Sequence, residues 1–233
     1  MKGVIVKTTT KDGKSAIVTT KFNHALLSIA RNINEANVLF SLIDAISENA
    51  AKINAYEPSQ IIFSHSQKIY ARYLIIVLCR IFDNSNEPTN VNIFNLIKQS
   101  FLELSNHRDI YWSNLDVLSN LGINDKVILR LKESKSVNDL IHQISMTKEN
   151  YNNILEQLHN IRNRVIGHSQ HIQTISQQDA TINIDDSTKK LIEFAENLYS
   201  CIEPLTGISG LTPIIKNSNH KNALKNLVHK INN

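Results

Sequence analysis

The chain has 233 residues, 42% hydrophobic and 20% charged, with 6 Gly, 4 Pro and 2 Cys and a net charge of +4. So few turn-formers exclude collagen-like and Pro/Gly-rich disordered classes and argue against a many-turned β-sandwich, and the length suffices for a core without staples. The longest apolar run, Tyr73 to Cys79, falls far short of the roughly 20 residues of a bilayer span, and two distant cysteines make neither a disulfide framework nor a zinc spacing, so a soluble, cytoplasmic, mostly helical protein is expected.

In chain order, residues 1–21 form an N-terminal extension of net charge +4. Its β-branched runs Val4–Val6 and Ala16–Val18 flank Asp12–Gly13, which predicts a short hairpin. From Phe22 the apolar period is helical: Ala36, Leu39, Phe40, Ile43, Ile46 and Ala50 follow i, i+3, i+4, i+7 spacing. Pro58 disfavours helix at Glu57 and predicts a break there. Ile61 to Phe82 is the most apolar helix candidate, and its second half is hydrophobic all round, the mark of a central helix. A loop over 83–88 precedes a helix predicted over about 92–104. Residues 107–145 read as short helices broken at Gly122 and at Glu133–Ser136. Tyr151 to Ile166 is strongly amphipathic and is predicted to end at Gly167. Asp185, Asp186 and Ser187 supply capping groups for a helix carrying Leu191, Phe194, Leu198 and Tyr199. The expected architecture is an all-α bundle over 22–207, followed by a basic tail, 208–233, with a weak helical pattern. The charge of residues 22–213 sums to −4 and that of the last 20 to +4, which favours solvated termini over a nucleic-acid face.

No glycine-rich phosphate loop and no Gly-x-Ser-x-Gly elbow is present. Cys79 sits inside the apolar run and reads as a packed thiol. His168 and His171 lack neighbouring carboxylates, so no metal site and no cofactor is expected.

One position stands out on geometry. Arg162 lies one turn after Leu158 and two after Leu155, inside the apolar stripe of its helix. A guanidinium there must snorkel, pair with a carboxylate such as Asp83, or open onto a cleft. His168 follows six residues later, an offset of about 120° and about 9 Å along an unbroken helix. The two side chains meet in one pocket only if the helix ends near Gly167, or if a second copy of the chain completes the site.

The segment Arg162-Asn163-Arg164-Val165-Ile166-Gly167-His168-Ser169, at the end of an amphipathic helix, resembles the motif of HEPN-domain ribonucleases. With Arg80-Ile81-Phe82-Asp83 closing a hydrophobic helix and Val91-Asn92-Ile93-Phe94 opening the next, the chain is similar to the abortive-infection, AbiU-type HEPN group over roughly residues 23–205. That group often has Ala before the histidine and an acid soon after it; this chain has Gly167 and Ser169-Gln170. The resemblance implies a HEPN-like helical bundle and a metal-independent endoribonuclease, toxin-like or antiphage, with its site at a homodimer cleft. It implies Arg162 and His168 as catalytic residues, Asn163, Arg80 and Asp83 in support, and Arg164 on the RNA. Its implied partners are RNA, a second copy and an antitoxin or other regulatory protein. The alternative on the same scaffold is a helical module that binds RNA or protein without cutting.

Overall fold

The computed structural model describes residues 5–9, 15–55, 57–82, 92–103, 112–167, 184–206 and Asn226. The expected loops over 83–88 and 169–181, and the basic tail apart from Asn226, lie outside the described residues.

Two extended segments, β1 (Ile5–Thr9) and β2 (Ser15–Thr19), pair antiparallel with Ile5 opposite Thr19 and Lys7 opposite Ile17. Everything after them is helical or connecting among the described residues. α1 (Thr20–Glu48) follows β2 directly, and α2 (Ala50–Asn54) is a single short turn. α3 spans Glu57–Phe82. Pro58 therefore does not delay this helix to Ile61, as its breaking power predicts. It sits in the first turn, where a missing N–H leaves no bond unmade and the fixed φ suits the helix.

α1 and α3 make the most extensive helix pair and run antiparallel: Tyr73 donates to Glu35 at 2.9 Å and Gln67 to Ser47 at 2.8 Å. Between them Leu26, Ile29, Ile33, Leu74, Leu78 and Ile81 are buried. The apolar segment 73–79 is not enclosed on all sides. Leu74, Ile75, Val77, Leu78 and Cys79 are buried, whereas Tyr73 is 37% exposed and Ile76 half-buried.

α4 (Ile93–Glu103) begins at Asn92, whose Oδ1 accepts from the Asn95 N–H at 2.7 Å. A 3-10 turn, Leu115–Leu121, ends at Gly122 in left-handed geometry, φ 76°, a conformation glycine adopts at little cost. α5 (Asp125–Ser134) closes through Lys135, φ 48°, and Ser136 caps α6 (Val137–Thr147) by accepting from the Asp139 N–H. Both breaks fall where the sequence pattern predicts them. A 3-10 turn, Lys148–Tyr151, leads into α7 (Asn152–Gly167). α8 (Asp186–Thr206) opens on Asp185, whose carboxylate accepts from the N–H groups of Ser187 and Thr188.

α8 crosses α1, with Asn37 donating to Glu196 at 2.6 Å and the buried Tyr199 hydroxyl donating to the Leu26 carbonyl at 3.3 Å. Phe194 of α8 gathers a ring cluster: Phe82 stacks on it at 6.1 Å and Tyr151 at 4.1 Å, with Phe94 tilted beside both phenylalanines. Such offset pairs add about 0.5–1.5 kcal/mol each beyond their buried area. The cluster fixes the start of α7 beside the end of α3. Since α7 packs extensively on α3, it runs back along it, antiparallel.

Candidate functional site

α7 forms because Leu155 and Leu158 are buried and Ile154 and Ile161 pack on the core, one stripe at helical spacing. Arg162 extends that stripe and is half-buried. Its guanidinium reaches outward, and Nε and Nη2 donate to Oδ1 of Asn163 at 3.4 and 3.3 Å. The aliphatic stem thus lies on the apolar side while the charged head snorkels to the neighbouring amide. Asn163 is exposed. Arg164 belongs to the same helical turn, and α7 runs through Gly167. His168 lies outside the described residues, as does Asp83.

Arg80 is exposed near the end of α3 and hydrogen-bonds to Tyr73. It is not beside Arg162 within one chain. Tyr151 stands at the level of Phe82, and Arg162 lies about 16 Å further along α7, at the helical rise of about 1.5 Å per residue. Arg80, two residues before Phe82, stays at the ring-cluster end. An unforeseen polar chain, Glu35–Tyr73–Arg80, occupies that end instead. The Glu35 carboxylate, by accepting the hydroxyl's hydrogen bond and by its charge, raises the Tyr73 pKa above its ordinary value. Burial adds a little, and Arg80 acts in the opposite sense. A helical reading of α3 puts Tyr73 and Arg80 seven residues apart on one line, but nothing in that spacing names Glu35 of another helix as their acceptor.

The other nucleophile candidates are inert. Cys201 donates to the Val117 carbonyl at 3.7 Å and its thiol is pushed up to about 12 by burial; Cys79 is buried. Among the described residues no three His, Cys, Asp or Glu side chains gather as a metal ion requires, and no helix is long and apolar enough to cross a membrane. His171 lies outside the described residues.

Comparison with family models, with curated proteins and with solved structures finds no match to this chain.

Proposed function

We propose that the chain is a metal-independent endoribonuclease of HEPN type, acting in the cytoplasm as a homodimer in a toxin-like or antiphage role. The observation that carries the reading is Arg162. It is half-buried near the end of an amphipathic helix that runs through Gly167, with its guanidinium turned to the surface and His168 next in the chain. The all-helical architecture suits a HEPN-like bundle.

The chemistry follows from the residue types. His168, with an ordinary pKa of about 6.5, accepts the proton of a ribose 2′-OH as that oxygen attacks the adjacent phosphorus, or returns a proton to the departing 5′-oxygen. Arg162 stays charged and presents a planar fork to a phosphate whose negative charge grows in the transition state. Asn163 orients that fork, and Arg164 extends the positive rim. Two-fold pairing of copies supplies the second Arg162 and His168 that one helix cannot bring to the same face.

The test is cleavage of end-labelled single-stranded RNA by the purified protein in excess chelator. Cleavage lost about 10²- to 10⁴-fold in His168→Ala, with helical circular dichroism and dimer mass retained, is the expected result. Full cleavage by a folded His168→Ala dimer overturns the assignment. RNA binding without cleavage by the wild type moves the chain to the non-cutting module.

A further inference from the structure

The outward line of α3 carries Ile62, Ile69 and Ile76 at intervals of seven residues. At about 100° per residue they drift by only about 40° over about 21 Å of helix, one continuous ridge. Ile62 and Ile69 are each 62% exposed and Ile76 is half-buried. Scattered exposed aliphatics need no explanation, but a ridge in register does. His65, Lys68 and Arg72 flank it on one side and Tyr73 and Arg80 on the other, all exposed. From Pro58 to Phe82 the helix has three basic side chains, Lys68, Arg72 and Arg80, and no acid.

We propose that this face of α3 docks an amphipathic helix of a protein partner whose apolar seam is bordered by Asp and Glu. The seven-residue interval selects a helix as occupant, because a partner with apolar residues three and four apart interdigitates with such a ridge at a crossing angle of about 20°. The charge selects its chemistry. A second copy laid α3 on α3 brings two basic helices together with no acid on either to answer, so self-pairing here is disfavoured. RNA is disfavoured as well: bases stack on aromatic rings, the ridge is aliphatic, and its one aromatic, Tyr73, is bonded to the acid Glu35. This docking face is independent of the Arg162–His168 reading.

The experiment titrates the full chain against a fluorescein-labelled synthetic 21-residue helix, a length of about three heptads. The probe has Leu at the first and fourth heptad positions and Glu at the flanking ones; a twin carries Lys in place of Glu. Saturable anisotropy with the Glu probe, at least about 10-fold weaker binding to Ile69→Ser and to Lys68→Glu, and no binding of the Lys twin support the proposal. Both substitutions are at exposed positions, and circular dichroism checks that the helices persist. Equal binding of the twins, no saturation, or an unchanged affinity in Ile69→Ser overturns it. So does a wild-type dimer that Ile69→Ser converts to monomer in sedimentation, which assigns the face to a second copy, or displacement by single-stranded RNA that Ile69→Ser abolishes.

Discussion

Arg162 turns two of its donors onto the carboxamide oxygen of its own neighbour, Asn163, at 3.4 and 3.3 Å. Charge-assisted bonds from a guanidinium to an anion are shorter, about 2.7–2.9 Å, and about twice as strong as neutral ones. A phosphate therefore competes successfully for the same donors, and Asn163 serves as a placeholder that keeps the fork extended. Arg162→Lys keeps the charge and loses the fork, so single-turnover RNA cleavage is expected to fall by at least about 10-fold. Asn163→Ala leaves the fork and removes only its guide, so the expected loss is smaller than in Arg162→Lys. An Asn163→Ala variant as impaired as Arg162→Lys shows instead that Asn163 touches the substrate.

Thiol chemistry offers a check on the core. Cys79 and Cys201 are both buried, and the Cys201 thiol is pushed up to about 12. At pH 8 almost none of that thiol is ionised, and the thiolate is the reactive form. The native protein is expected to react with a chromogenic disulfide only at its rate of opening, and to release two equivalents at once in guanidinium. Immediate reaction of either cysteine in native buffer contradicts the packing of α3 or α8 described above.

How far the sequence leads depends on what each residue contributes. α7 and the breaks at Gly122 and Lys135 are legible because they rest on local physics: a 3.6-residue apolar period, and capping geometry within one turn. The outward side of α3 is not. A run of seven apolar residues has no polar face to mark its surface, and only the arrangement of α1, α7 and α8 around it decides that Tyr73 and Ile76 are left partly uncovered. Arg162 shows the same division within one side chain. Its place in the stripe is read from Cβ directions, but the long stem lets the charged head leave that stripe, which a wheel of Cβ positions does not report. Pro58 misleads for a simpler reason: the rule against proline applies inside helices and reverses in the first turn.

The Glu35–Tyr73 bond gives a pH dependence with a definite sign. The folded state raises the Tyr73 pKa above its ordinary value of 10.0. The protonated hydroxyl is thus favoured in the folded chain, and its contribution is fully present below pH 10 and lost as pH rises through the folded value. Tyr73→Phe removes the contribution at all pH values. The difference in Tm between wild type and Tyr73→Phe is expected to be constant from pH 7 to 9 and to shrink above pH 10. Because Tyr73 is partly exposed, the difference itself is small and narrows further at high salt. A gap that widens with pH contradicts the bond.

The cap of α8 separates stability from the site. Asp185 satisfies the N–H groups of Ser187 and Thr188 at 2.9 and 3.3 Å, two of the donors that a helix start leaves without intrahelical acceptors. Asp185→Ala is expected to cost about 1 kcal/mol, or about 2–4 °C in Tm for a chain of this size, whereas Asp185→Asn keeps an acceptor oxygen and costs less. The lost bonds fray only the first turn. Phe194 and Tyr199, which set α7 beside α3 and α8 across α1, lie two and more turns further on and are buried. RNA cleavage at 25 °C is therefore expected to match wild type in Asp185→Ala while thermal unfolding comes earlier. A parallel loss of cleavage and Tm shows that the first turn of α8 takes part in holding the Arg162 end of α7.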